Sequence, residues 1–131
     1  MVKFMKPKDP RSNNHWKTPQ DLYKRLDKKY NFDFDPCPLN ADFDGLKIEW
    51  GRSNFVNPPY SQKLKELFIL KGIEESKKGK RVVMLLPVST STKIFHNHIM
   101  PNCQNIEFIR GRLKFSGSKT SGTFDSMIVI F

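Results

Sequence analysis

Asn54-Phe55-Val56-Asn57-Pro58-Pro59-Tyr60-Ser61 decides the fold. The run is apolar and β-prone up to Val56, then meets two prolines in succession. Neither proline can donate to a strand ladder, and Pro58 biases Asn57 away from the helical region. The reading is a short strand that stops in a stiff, extended corner. From Ser61 the spacing turns helical, with Leu64, Leu67, Phe68 and Leu70 as the apolar stripe, Ser61 as N-cap and Gly79 as the stop. Val82 to Leu86 is then a continuous apolar run ended by Pro87, which predicts a buried central strand. Strand, helix and strand in this order point to an α/β sheet. In such sheets ligands collect at the carboxyl ends of strands, where this corner lies.

Downstream, a short helix is expected around Thr92 to Ile99, stopped by Pro101, followed by a strand from Asn105 to Ile109. Arg110-Gly111-Arg112-Leu113-Lys114-Phe115 is dense in charge, with Phe115 as an exposed aromatic. Ser116 to Thr123 is a small-residue loop, and Met127 to Phe131 a last apolar strand. No helix separates the last two strands, so they are expected to be antiparallel neighbours. The prediction is a three-layer α/β sandwich whose mixed sheet carries one reversed strand near its edge, formed by residues near 126–131.

Upstream, Trp16-Lys17-Thr18-Pro19 opens a helix. Thr18 suits the N-cap, Pro19 the first helical position, and Leu22, Leu26 and Tyr30 form its stripe. Exposed N–H groups at such a start can hold a carboxylate or phosphate. Phe32-Asp33-Phe34-Asp35 alternates like a strand that Pro36 ends, placing Asp35 at a carboxyl strand end. The loop beyond is rich in turn formers, among them Pro38, Asn40, Asp42, Asp44 and Gly45, and contains no Gly-x-Gly. Leu46 to Trp50 fits either strand or helix.

The chain's 131 residues suit one domain. Residues 1–15, with Lys3, Lys6, Lys8 and Arg11, read as a flexible basic arm, and residues 16–131 as the domain. Net charge is +10, from 23 Lys/Arg against 13 Asp/Glu, which favours a polyanionic partner, nucleic acid before membrane. No apolar run reaches membrane-spanning length and no signal segment opens the chain, so a cytoplasmic location is expected. Cys37 and Cys103 read as reduced thiols, and no metal site is expected.

The corner sets an amide (Asn57) and carbonyls without competing N–H groups (Pro58, Pro59) beside an aromatic ring (Tyr60). Such acceptors can hold an exocyclic amino group while the ring stacks on the planar base that carries it. With its flanking pieces the chain resembles the short phage-type, Dam-like DNA N6-adenine methyltransferases, a branch of the class I methyltransferases that use S-adenosylmethionine. The matching pieces run in order over residues 16–131: Trp16-x-Thr18-Pro19 with Leu22; Asp35-Pro36; Asp44-Gly45-Leu46 and Trp50; Asn57-Pro58-Pro59-Tyr60-Ser61; Leu85-Leu86-Pro87 with Thr90 and Phe95-His96; Phe108-Ile109-x-Gly111-Arg112-Leu113-Lys114-Phe115; and Ser126 with the closing strand.

The resemblance implies a Rossmann-like class I sandwich with a trimmed N-terminal half. It implies that Thr18 and Pro19, at the helix start, lie near the cofactor's methionine carboxylate, and Asp35 near its amino group. Asp44 would accept from its adenine amino group, and Trp16 would cover its ring. Asn57 and the Pro58 carbonyl would hold the target amine, with Pro59 fixing the corner. Tyr60 would stack on the flipped base, Phe115 could pack on its other side, and Ser61, Arg110, Arg112 and Lys114 belong to the DNA side. Asp35-Pro36-Cys37-Pro38 stands where most class I enzymes have a glycine-rich loop, and Glu49 is the leftover acidic candidate for the ribose. The same Asn-Pro-Pro-Tyr occurs in enzymes that methylate RNA bases or protein glutamine. A non-catalytic basic nucleic-acid-binding module is the further alternative.

Overall fold

A computed structural model describes residues 17–59, 61–115 and 124–131. The basic arm and Trp16, Tyr60, and the loop at 116–123 lie outside the described residues.

Helix α1 spans Gln20–Tyr30 and buries Leu22 and Leu26. It starts later than its sequence suggests. Pro19, not Thr18, occupies the N-cap position, and no side chain caps the helix. The Thr18 hydroxyl is engaged instead by the Asn57 side chain, 39 residues away in the chain. Asn31 closes α1 in the left-handed region, at φ 51. The expected strand from Phe32 to Asp35 shrinks to one parallel bridge, Phe34 to Asn54. Phe55 N donates to Phe34 O at 3.2 Å, and Pro36 has no N–H with which to continue. Leu46 to Trp50 forms neither helix nor strand.

Strand β1 is Ser53–Val56, as the proline corner requires. Helix α2, Gln62–Ser76, is capped by Ser61, whose hydroxyl accepts from Leu64 N at 3.5 Å. Its buried face is Phe68, Ile69, Gly72 and Ile73, rotated from the expected stripe, so Leu67 and Leu70 are each 39% exposed. Gly72 lies on this face, against the Met84 side chain of the sheet. Strand β2 is Arg81–Pro87. A π-helical stretch, Phe95–Ile99, then runs into the short α3, Met100–Asn102. Pro101 therefore sits inside the helical segment rather than stopping it. It cannot donate to the carbonyl four residues back, and the turn widens just before it: Met100 N reaches Phe95 O.

Strands β3 (Asn105–Phe108) and β4 (Ser126–Ile130) complete a four-stranded sheet of order β1-β2-β4-β3. β1 and β2 are parallel, and β4 is antiparallel to both β2 and β3. The reversed strand thus lies one place in from the edge. Alternation along the strands fills two cores. Val82, Met84, Leu86, Met127 and Val129 face α2 and the π-helical stretch. Val83, Leu85, Ile128 and Ile130 face α1. Helices therefore cover both faces of a mixed sheet. Among the described residues, no helix is long and apolar enough to cross a membrane.

One charged residue sits deep in this frame. Glu75 is fully buried on α2 and accepts from Trp50 N at 3.0 Å, Lys71 at 3.0 Å, and Lys78 and Lys80 at 2.8 and 2.5 Å. Burial alone would raise its pKa. The hydrogen bonds from Lys78, Lys80, Trp50 N and Lys71 outweigh that and hold it well below the usual carboxylate range. Removing one partner of a buried ion pair costs about 3–5 kcal/mol. Glu75→Ala is accordingly expected to lose about that much in urea unfolding at neutral pH. Because the folded pKa is depressed, the contribution is present above the unfolded value of about 4.3 and lost as pH falls below it. The parent and Glu75→Ala should converge in stability on acidification.

Candidate active site

Asn57 leaves β1 at its carboxyl end and is 5% exposed, with Pro58 and Pro59 buried behind it. Its Nδ2 donates to Thr18 Oγ1 at 3.1 Å, across 39 residues of chain. That bond ties the corner to the segment entering α1 and sets the orientation of the amide. The corner opens on a cleft of about 370 Å³ whose lining includes Lys17, Thr18, Asp35, Cys37, Phe55 and Asn57. That volume falls in the range of small-molecule sites, roughly 300–1,000 Å³. Three separate stretches, Thr18, Asp35 with Cys37, and Asn57, thus meet at one place. Tyr23 also lines the cleft, its ring edge-on to Phe55 at 5.2 Å. Sequence reasoning missed it because it lies beside, not on, the Leu22–Leu26 stripe.

Asp35 is half-buried, and its Oδ1 accepts from Cys37 N at 2.9 Å. Pro36 and Cys37 are buried with it, so this short Asx turn, rather than glycines, shapes the cleft wall. Burial raises the Asp35 pKa from 3.8 to about 6, against the lowering pull of the Cys37 N–H. Among the described residues no cation pairs with it. The Cys37 thiol is pushed up by burial and, secondarily, by the Asp35 charge, so it is no nucleophile at neutral pH.

Asp44 does not line the cleft. Its Oδ1 accepts from Leu46 N at 3.0 Å, while its Oδ2 is buried without a hydrogen-bond partner among the described residues. The next residue, Gly45, lies hard against Pro36: a Cβ there would strike the Pro36 carbonyl oxygen. Asp44 therefore stands behind the Asp35–Cys37 wall. Glu49 does not belong to the site. Its carboxylate is 70% exposed and bonded to Lys78 at 2.7 Å and Lys80 at 2.6 Å, at the end of the sheet where β1 and β2 begin.

On the nucleic-acid side the sequence expectation needs one correction. Phe115 is 2% exposed and packs in the α1-side core beside Phe124, so it presents no face to a base. The exposed aromatic of this region is Phe108, at 60%. Arg110, Arg112 and Lys114 are exposed, and Arg112 pairs with Asp125 at 3.6 Å. Ser61 serves as the α2 cap. Tyr60 and Trp16 fall outside the described residues. A smaller cavity of about 160 Å³ between α2 and the π-helical stretch includes neither Asn57 nor Asp35.

An α/β fold with an Asn-Pro-Pro corner over a cleft lined by polar side chains, one carboxylate and one lysine is an arrangement fit to hold a planar amine. Comparison with known proteins agrees: residues 6–130 match the family model "DNA N-6-adenine-methyltransferase (Dam)", and the chain belongs to that family. It is 32% identical to the DNA N-6-adenine-methyltransferase of Haemophilus phage HP1, over 88% of this chain and 77% of that protein. It is 30% identical to the DNA N-6-adenine-methyltransferase of Escherichia phage T1, over 61% of this chain and 38% of the phage protein.

The raised Asp35 pKa makes a sign-definite prediction. The folded state holds this proton more tightly than the unfolded chain, so the contribution to stability is present below about pH 4 and lost as pH rises through 6. Asn keeps an acceptor for Cys37 N without the charge. Asp35→Asn should be more stable than the parent at pH 7.5 by about 1–2 kcal/mol, after screening of a half-buried group, and equal to it near pH 4. Thermal melts of both proteins across that range provide the check.

Proposed function

We propose that this chain transfers a methyl group from S-adenosylmethionine to the N6 amino group of adenine in DNA. The observation that carries the reading is the buried Asn57–Pro58–Pro59 corner opening on a cleft that also contains Thr18 and Asp35, in a chain of the DNA N-6-adenine-methyltransferase family. The mixed sheet, the reversed strand beside its edge and helices on both faces support a trimmed class I methyltransferase domain.

The residues fit the cofactor. A half-buried carboxylate without a cationic partner, Asp35, suits a ligand that carries an ammonium group. Asp44, expected to accept from the cofactor's adenine amino group, lies outside the cleft with its Oδ2 buried, so the fit rests on Asp35 and the α1 start. The first-turn N–H groups of α1, beside Thr18 and Pro19, suit a carboxylate. Trp16 is assigned the cofactor ring. When bound, S-adenosylmethionine supplies a methyl group already activated by its sulfonium, so the protein contributes position rather than a nucleophile of its own.

The adenine amino nitrogen is a weak nucleophile because its lone pair conjugates with the ring. The Asn57 amide oxygen and the Pro58 carbonyl accept its two N–H groups and draw the nitrogen toward a tetrahedral arrangement, which frees the lone pair for attack. Pro59 keeps the corner rigid. In duplex DNA the base must first leave the stack. Tyr60, the next residue, supplies a ring worth about 1–3 kcal/mol of stacking to the extruded base. Arg110, Arg112 and Lys114, on the loop after β3, hold phosphates. The phage origin of both relatives suits action on DNA in a bacterial cytoplasm. Incubation with labelled S-adenosylmethionine and unmethylated DNA, RNA or protein tests the reading. Label in RNA or protein and not in DNA overturns it.

Two variants sharpen it. Asn57→Ala should lower methyl transfer by about 10² to 10³, the scale of a lost polar contact to a transition state, with little change in cofactor affinity. A destabilised but active variant would place Asn57 in the turn alone. Arg110→Ala should reduce the salt dependence of duplex binding by about one phosphate contact. An unchanged slope removes Arg110 from the interface.

A further inference from the structure

Among the described residues, Phe108 is the most exposed large apolar side chain, at 60%. It closes β3, the strand at the sheet edge remote from β1. Edge strands ordinarily carry charge at such positions, because a bare aromatic there invites unwanted pairing. The strand register places Phe108 relative to the corner. Phe108 and Leu86 both pair with Met127, and Leu86 lies two residues beyond Met84, the partner of Val56. β2 and β3 are both antiparallel to β4, so β3 runs in the direction of β1 and β2. Phe108 therefore stands on the carboxyl rim that Asn57 occupies, three strand spacings away, about 14 Å.

Directly opposed side chains of a strand pair share a face. Met127 belongs to the α2-side core, so Phe108 stands on the α2 side of the rim, and Ile106, two residues back, packs on that core. The loop beyond is anchored: Ile109, Leu113 and Phe115 pack in the α1-side core. The residues between them, Arg110, Arg112 and Lys114, are exposed. The acids next to this segment are already engaged, Glu107 by Arg25 at 2.7 Å and Asp125 by Arg112 at 3.6 Å. Between Phe108 and the corner, the cavity bordered by Leu86 and Met127 presents Gln62, Lys65, Ser89 and Thr92 as donors, with Glu66 hydrogen-bonded to Gln62 at 3.3 Å.

We propose that Phe108 is a DNA contact: its ring packs against bases of the duplex at the far end of the rim, while the cations beside it hold the backbone. This rests on the proposed DNA substrate. Charge selects the partner. A second copy of this chain, at net charge +10, would bring like-charged loops together, whereas a polyanion meets Arg110 and Lys114 favourably. Phosphates have no use for an aromatic ring. Bases offer apolar groups and faces, and Phe is among the side chains that enter a groove to touch a thymine methyl or part a base step. At about 3.4 Å per base pair, the distance to the corner spans about four steps, so Phe108 reaches flanking sequence rather than the extruded adenine.

Salt dependence distinguishes an apolar base contact from a phosphate contact. Phe108→Ala should weaken binding to unmethylated duplex DNA about ten-fold, the scale of one lost aromatic–base contact, with an unchanged salt slope because no counterion is released by the ring. Phe108→Tyr keeps the ring and should bind as the parent does. Because Phe108 is exposed, thermal melting and S-adenosylmethionine affinity should stay at parent values. If Ala loosens the edge strand, Phe108→Thr restores strand propensity without the ring and should show the same loss of DNA affinity. Parent-like affinity in the ring-less variants, or a loss that comes entirely with a lower salt slope, overturns the base contact. A parent that sediments as a dimer, with Phe108→Ala a monomer of equal DNA affinity, overturns it as well and assigns the ring to self-association. If the parent itself neither binds duplex DNA nor methylates it, the substrate reading fails, and the inference with it.

Discussion

Two adjacent residues that cannot donate a hydrogen bond govern this structure. Pro58 and Pro59 end β1 at Val56, so the Asn57 side chain just beyond it is left at the sheet's carboxyl rim instead of in a ladder. Because β1 and β2 are parallel, the strand must be followed by a helix that returns the chain across the sheet, and Ser61 begins that helix at once. The corner is stiff on one side through the prolines and on the other through the Asn57–Thr18 bond. In the proposed reaction a corner held this way needs little reorganisation as charge develops in the transition state.

The cleft's electrostatics follow from the same geometry. Lysines and arginines exceed acids by ten over the chain, yet Asp35 stands without a cationic partner among the described residues. The lysines at the end of α2 are instead turned inward or paired: Lys71, Lys78 and Lys80 converge on Glu75, and two of them also hold Glu49. The basic excess is therefore partitioned. One group neutralises a buried acid at the end of the sheet where β1 and β2 start. Another, Arg110 and Lys114, remains exposed beyond β3, at the end where Asn57 lies.

Most of the framework was legible in the chain. The strands announced themselves by apolar runs bounded by prolines, and the missing helix before β4 foretold its reversal. What failed, failed for reasons that lie outside local pattern. Thr18 looks like a cap and is one in type, but a partner 39 residues away takes its hydroxyl. The α2 stripe looked centred on its leucines, yet the face that packs on the sheet runs through Phe68, Ile69, Gly72 and Ile73. Phe115 follows three cations and looks exposed, but the loop folds it back beneath α1, while Phe108, placed on a strand, ends at the surface. Glu49 is acidic and close in sequence to the corner, but the sheet separates its ends. The meeting of Thr18, Asp35 and Asn57 was suggested by resemblance, and neither spacing nor periodicity could have placed them in one cleft.

The strand order has a consequence for assembly. β4 lies between β2 and β3, both of which precede it in sequence. Until β4 arrives, β3 has no neighbour and β2 has one open edge of unpaired N–H and C=O groups. The α1-side core is incomplete as well, since Ile128 and Ile130 belong to it. The sheet cannot therefore be built in the order of synthesis. It closes from the middle, when the last strand slots between two earlier ones and pairs with both simultaneously. Such a topology is non-local and slow to nucleate, and it leaves an adhesive edge exposed while the chain waits.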